Sequence, residues 1–287
     1  MTVRPAGLPF EPFTRKADMD ITRLLAEFIH RTKYSDLPAS VRDAGKNCIL
    51  DCIGSGLGGI DDGASRLIVE YVRDMGGQPQ ASVMGTHLKT DMANAALANG
   101  VIAHALDFDD YHGETVIHGT AACLPSLLAV AEHHHLGGAD LLTALILSID
   151  VSVRVGLGLG SYHYELGWHA TSTAGRFGAT AGAAKLLGLD DDQIVQALGI
   201  CGTQAAGVRQ VFGTMSKPFN AGKACMDGVI SALLAARGFT SSTRIVEGEL
   251  GMFDVLTAHP APERVLQGLG STFHVAEISI KPYPTCA

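Results

Sequence analysis

Charge is scarce in this 287-residue chain: Asp, Glu, Lys and Arg make up 17% of it, against 47% apolar residues. Such a composition packs densely and suits a protein with much buried helix and an extensive subunit contact. Basic residues are the rarer sign, 21 Lys plus Arg against 29 Asp plus Glu, for a formal charge of −8. That balance excludes a general binder of nucleic acid or anionic membrane, which needs a basic surface, but it leaves room for a local basic pocket. The six cysteines (48, 52, 123, 201, 225 and 286) form no CxxC pair and are expected to be reduced thiols. The opening "MTVRPAGLPFEPFTRKADMD" lacks a continuous apolar core and does not read as a secretory signal. The longest apolar run, "LLTALILSIDVSV", meets Asp150 and Arg154 before it can span a bilayer, so the expected location is the cytoplasm. There is no HExxH, no cysteine cluster and no fixed-period repeat.

What is present is helical spacing. After a Pro-rich, extended lead-in, "DMDITRLLAEFIHRT" places apolar residues at 21, 24, 25, 28 and 29, with Asp18 or Asp20 available as N-cap. "LPASVRDAGKNCILDCIGSGLGG" puts Val41, Ala44, Cys48 and Cys52 on one face. "QASVMG" reads as a short strand, and "KTDMANAALANGVIAHAL" is a helix with small residues nearly all round, which permits close helix contact. Five further helical segments follow, each bounded by Gly, Asp or Pro. "HHH" at 133–135 reads as a helix C-terminus, and "GLGLG" at 156–160 as a loop. Near the end "HVAEISI" alternates as a strand does, with no later strand in sequence to pair with. The fold class is therefore all-α, a large multi-helix domain with the beginning of a small α+β unit at its C-terminus.

Against this background "DFDDYHGETVIHG" (107–119) concentrates four acidic residues and two histidines. Asp107 and Asp109 have the spacing of the first two ligands of a calcium loop, but Tyr111 and His112 stand where a third ligand and the turn glycine belong. Asp107, Asp109, His112 and His118 offer carboxylate plus imidazole, the chemistry of a transition-metal site, without a supporting motif. An acid/base reading gains from the other polar outliers at helix or strand ends: His169 in "GWHATSTAGRFG", Lys217 and Lys223 in "FGTMSKPFNAGK", and Lys281 in "SIKPYP". Lysines from separate segments can converge on one anion.

Taken in order, "ILDCIGSGLGG", "AHALDFDDYHGETVIHG", "GWHATSTAGRFGATAGAAKLLGL", "GTQAAGVRQVFGTMSKPFNAGKA" and "ISIKPYPTC" resemble the MmgE/PrpD family of 2-methylcitrate dehydratases, cis-aconitate decarboxylases and iminodisuccinate epimerases. The resemblance implies a helical N-terminal domain over 1–265 and the start of an α+β lid over 266–287, incomplete as it stands, since relatives continue further. It also implies a cleft between the two, a homodimer, a small polycarboxylate substrate, and neither metal nor organic cofactor. The family pattern falls on Asp107, Tyr111 (Thr in many members), His118 and His169 as catalytic residues. It falls on Lys217 and Lys281 as substrate-binding residues, and His112 beside them is a further substrate-binding candidate. Asn220 stands where many relatives have His, and an amide cannot take a proton at neutral pH.

The expected mechanism is acid/base catalysis through a carbanion-like intermediate. His118 and His169 move protons, Lys217 and Lys281 clamp carboxylates, Asp107 orients a histidine and Tyr111 donates a hydrogen bond. Asp109, Asp110 and Glu114 are expected to cap or solvate the loop. The leading expectation is a cofactor-free lyase of the 2-methylcitrate dehydratase type. The alternatives are a cis-aconitate decarboxylase, an epimerase, or an inactive helical domain that only dimerises.

Overall fold

The computed structural model describes residues 19–285. The expected extended lead-in, Asp18 as a cap and Cys286 lie outside the described residues. Within them the chain is mostly helical with a few short strands. Helix α1 (Ile21–Arg31) is amphipathic as its spacing predicts, burying Ile21, Leu25, Phe28 and Ile29; Asp20 occupies its N-cap position without a side-chain cap bond. Helix α2 (Ala39–Gly58) buries Val41, Cys48 and Cys52 on one side, and α3 (Gly63–Met75) follows, capped by the Asp62 carboxylate. Strands β1 (Ala81–Ser82) and β2 (Lys89–Thr90) pair antiparallel and lead into α4 (Met92–His104), whose Asp91 cap accepts from two backbone N–H groups.

Helix α4 is buried on nearly every side, as a helix apolar all round must be. Its main partner is α10 (Ser216–Ala236). Contact there is backbone to backbone: a Cβ on Gly100 would meet the Gly222 Cα at 2.6 Å, and one on Gly222 would meet the Leu97 carbonyl oxygen at 2.4 Å. The small residues of "ANAALANG" thus serve to bring two helices together.

Between them in sequence come β3 (Tyr111–His112), α5 (Leu124–His134), α6 (Gly138–Glu165), α7 (Ala170–Thr173), α8 (Gly175–Leu186) and α9 (Asp191–Gly202). The core is formed where α6, α8, α9 and α10 stack, with α5 against α4 and α8. Helix α6 is long and apolar enough to cross a membrane by length and composition, but it is a buried core helix here. The triple histidine does end α5, with His135 in the left-handed conformation of a helix terminus. Five cysteines, 48, 52, 123, 201 and 225, are free and buried.

Two of the helical expectations need correction. "GLGLG" is not a loop: α6 runs through it and kinks only at Gly160 (φ 71°), while its other glycines admit neighbours, Gly158 lying against Phe253 and Val265. "TSTAGRFGATAGAAKLLG" is not one helix either, since α7 and α8 part at Ala174.

The C-terminal segment packs back onto the helices. After α11 (Met252–Val255) and α12 (Pro262–Leu266) it forms a 3-10 turn over His274–Glu277 and strand β4 (Ile278–Ser279). Fully buried Arg154 of α6 donates to the carbonyl oxygens of Val265, Gln267, Gly268 and Thr272 at 2.8–3.3 Å, while Asp150 accepts from the His274 N–H at 2.9 Å. These anchors shape most of "HVAE" as a turn, so only two residues continue as strand. That strand finds its partner upstream: β4 pairs antiparallel with β3, Tyr111 opposite Ser279 and His112 opposite Ile278.

Candidate active site

The site is assembled where α4 ends. His104 closes that helix, and Asp107 makes the turn beyond it in a left-handed conformation (φ 53°), which Asp tolerates better than most residues. Two residues on, Asp109 points inward and is fully buried. Its Oδ1 lies 2.8 Å from His104 Nδ1 and its Oδ2 3.1 Å from His118 Nδ1. Burial pushes the Asp109 carboxyl upward, but the charges and hydrogen bonds of His104 and His118 outweigh it and hold the group well below the usual carboxylate range.

Asp110 is buried as well. It accepts from the Thr120 hydroxyl at 2.5 Å, and its own N–H donates to Asp51 at 3.0 Å. Burial, with Asp109 and Asp51 nearby, pushes its carboxyl up to about 7 against the pull of the Thr120 hydrogen bonds. Asp109 and Asp110 therefore neither cap nor solvate the loop, because the tight turn at Asp107 sends both into the helical core. Glu114 does stay at the surface, paired with Arg264 at 2.7 Å.

Lys217 and Lys281 arrive from two separate downstream elements onto the Asp107 carboxylate. The Gly100–Gly222 contact sets the C-terminus of α4 against the N-terminal turn of α10, so Lys217 meets Asp107 Oδ2. The β3–β4 pairing carries Lys281 in, 3.1 Å from Asp107 Oδ1 and 2.9 Å from its carbonyl oxygen, with a third bond to the Thr285 carbonyl oxygen at 2.7 Å. Both lysines are buried. Burial raises Asp107, but the Lys217 hydrogen bond and the charges of His104, Lys217 and His118 take it below the usual range. A lysine in the first turn of a helix opposes the helix dipole, and the Asp107 carboxylate offsets that cost.

His118 Nε2 lies 3.6 Å from Asp107 Oδ1. His169, at the start of α7, is buried with its ring 6.4 Å from that of His104 and 4.9 Å from Phe212. Its Nδ1 accepts from the Asn220 amide at 3.0 Å, so its proton sits on Nε2. Burial, joined by the charges of His104, His118 and Lys217, pushes His169 down to about 2. The substitution of Asn for the family's frequent His at 220 therefore supplies a hydrogen-bond donor that fixes the tautomer of a neutral imidazole.

Tyr111 lies along the same edge, its ring 6.4 Å from His118 and 5.7 Å from the Lys281 ammonium. His112 does not join the cluster, because alternation along β3 turns it to the other face. There its Nε2 meets Glu277 at 3.2 Å and its Nδ1 meets Thr115 Oγ1 at 2.9 Å, with His274 on the same carboxylate oxygen at 2.8 Å. Lys223 also stays apart, paired with Asp227.

A profile of the MmgE/PrpD N-terminal domain matches residues 23–265. The chain belongs to the MmgE/PrpD family. Among its relatives, a cis-aconitate decarboxylase of Aspergillus terreus is 31% identical over 287 residues, covering 94% of this chain and 58% of the relative. A cis-aconitate decarboxylase-like protein of Aspergillus oryzae is 30% identical (91% and 58% covered), and the human cis-aconitate decarboxylase 30% identical (88% and 53%). The chain spans just over half the length of these relatives.

The residues that carry the resemblance, Asp107, Tyr111, His118, His169, Lys217 and Lys281, are thus drawn into one place, and the candidate His112 is not. Sequence reasoning missed His104, Asp109 and Asp110. The signal for His104 was available, since it is the lone titratable group in the apolar stretch "ANAALANGVIAHAL". Ligand atoms of His104, Asp107, Asp109 and His118 lie within 4.8 Å of one another, a donor set that suits a transition metal by composition. Two ammonium groups already occupy Asp107, and two imidazole N–H groups occupy Asp109, so these oxygens are committed to hydrogen bonds and a cation would meet like charge. The arrangement suits an anion: cations at one edge, and imidazoles in set tautomers at the other.

Proposed function

We propose that this chain carries the acid/base site of a decarboxylase acting on cis-aconitate or a closely similar unsaturated tricarboxylate. The observation that carries the reading is the convergence of Lys217, Lys281 and His118 on one carboxylate, Asp107. The relatives named above are cis-aconitate decarboxylases or resemble one, and they favour this reading over the 2-methylcitrate dehydratase type that led the sequence-based expectation.

In this reading a substrate carboxylate settles against Lys217 and Lys281, sharing them with Asp107. When the bond to the departing carboxylate breaks, carbon dioxide leaves and the electron pair passes into the neighbouring unsaturated acid. The lysines stabilise that charge within a poorly solvated site. His118, protonated at Nε2, delivers a proton to the carbon of that acid on which the electron pair comes to rest. His169, neutral with Nε2–H, donates a hydrogen bond rather than a proton, and Tyr111 contributes a second donor. Asp107 keeps the lysines in place before substrate binds.

The test is to incubate the chain with cis-aconitate, 2-methylcitrate and citrate, following carbon dioxide release and ultraviolet absorbance together. Carbon dioxide from cis-aconitate alone, abolished in His118→Gln, is the expected result. Interconversion of 2-methylcitrate with its alkene and no carbon dioxide would restore the dehydratase reading. Turnover of none of the three by the folded chain would overturn both.

A further inference from the structure

Asp109 contributes no contact to the substrate in the scheme above, yet it is fully buried and each of its oxygens meets a different imidazole. An ionised carboxylate has only acceptors, so both bonds require a proton on Nδ1 of the histidine. A neutral imidazole has a single N–H, and a proton held at Nδ1 leaves Nε2 bare. For His118 that bare nitrogen is the one facing Asp107. The opposite tautomer would aim the Nδ1 lone pair of His118 at the Asp109 carboxylate 3.1 Å away, leaving two buried acceptors unmatched.

His104 completes the arrangement. Its ring meets that of His118 edge-on at 4.5 Å, and its Nε2 is buried with no hydrogen-bond partner among the described residues, so Asp109 alone fixes its tautomer. His118 is also fixed from its backbone, the N–H of which donates to Thr171 at 3.1 Å. We infer that Asp109 is a positioning residue that sets the tautomers of His104 and His118 together, with His104 as the second support that holds the shared carboxylate in line. His118 can then take up and deliver protons only through Nε2, on the substrate side. The value of this arrangement for catalysis rests on the reading of His118 as the proton-transfer residue, but the tautomers themselves do not depend on turnover.

The experiment is long-range 1H–15N correlation on the whole chain labelled at histidine, recorded near pH 8. His104 and His118 are expected to show the proton on Nδ1, and His169, which accepts from Asn220, to show it on Nε2 in the same spectrum as an internal contrast. Asp109→Asn removes one acceptor and adds a donor, so one of the two imidazoles should switch to Nε2–H. Turnover should then fall about 10- to 100-fold in kcat, as when a supporting partner of a functional histidine is removed, with KM changing far less. A wild-type spectrum with the proton on Nε2 of His104 or His118 would overturn the inference even if Asp109→Asn does not fold. Unchanged tautomers and unchanged kcat in a folded Asp109→Asn would overturn it too. Nδ1–H on both imidazoles in a chain that turns over nothing would leave the positioning intact and count against the proposed function alone.

Discussion

At the scale of single residues, the site is a balance of buried charges that removal of one member upsets. Lys217 looks in the sequence like a loop-edge residue, but it is buried in the first turn of α10 and holds Asp107. Lys217→Ala should therefore abolish turnover and also cost about 1–3 kcal/mol of stability, because Asp107 loses one of its two cations. Urea unfolding checks this, and unchanged stability with wild-type kinetics would contradict it. Asp110 makes the opposite prediction. Its folded-state value of about 7 is raised above the ordinary carboxylate value, so the native chain keeps a proton that the unfolded chain has released. Its contribution to stability is greatest at low pH and falls as pH rises toward 7. Asp110→Asn should accordingly stabilise the protein by about 1–3 kcal/mol at pH 8 and by less at pH 5; an equal effect at both would count against the buried, proton-retaining state.

At the scale of elements, the geometry of the site is inherited from two contacts. The α4–α10 contact places Lys217 against Asp107, and a methyl group at Gly222 would strike the Leu97 carbonyl. Gly222→Ala should cost about 1–3 kcal/mol and lower turnover as α10 shifts. The β3–β4 pairing places Lys281, and Arg154 is its anchor. Arg154→Lys keeps the charge but cannot reproduce four carbonyl contacts, so amides over 266–281 should exchange with solvent markedly faster than in the wild type while those of α4 do not. Helices α1 and α2 were legible in the sequence because each buries a face repeating every three to four residues, and α4, α5, α6, α9 and α10 because Gly, Asp or Pro punctuates long apolar stretches, whereas α3 was not read. The exceptions have local causes. In "GLGLG" the glycines serve helix contact, and the break between α7 and α8 carries no Pro or Gly pair to announce it. Asp109 was read as a loop residue because its inward direction follows from the left-handed turn at Asp107, a backbone choice that residue type alone does not reveal. His112 was expected with the site because it lies next to Tyr111 in sequence, while its facing is set by pairing with a strand 166 residues away.

At the scale of the whole molecule, the acidic chain holds its basic pocket internally, and the residues that form it come from the middle and the C-terminal end of the described sequence. Four buried histidines, 104, 112, 163 and 169, have folded-state values lowered chiefly by burial. Each contributes stability that is full above the unfolded value near 6.5 and is lost as pH falls below it, since the unfolded chain then binds protons that the native one refuses. Thermal unfolding should therefore shift to lower temperature between pH 7 and pH 5, and a flat profile would contradict neutral imidazoles in the core. We also propose a homodimer, supported by the exposed stripe Leu67, Tyr71 and Met75 along α3. Light scattering should give twice the chain mass of 30.0 kDa, and a monomer at micromolar concentration would refute it.

The central claim, proton delivery by His118 to a carbanion stabilised by Lys217 and Lys281, is tested most directly by turnover of cis-aconitate in deuterium oxide followed by NMR. The account predicts one deuterium for each molecule of carbon dioxide released, on the carbon where the electron pair comes to rest, and neither product nor label in His118→Gln. Carbon dioxide released at the wild-type rate by His118→Gln, or a product without deuterium, would contradict it.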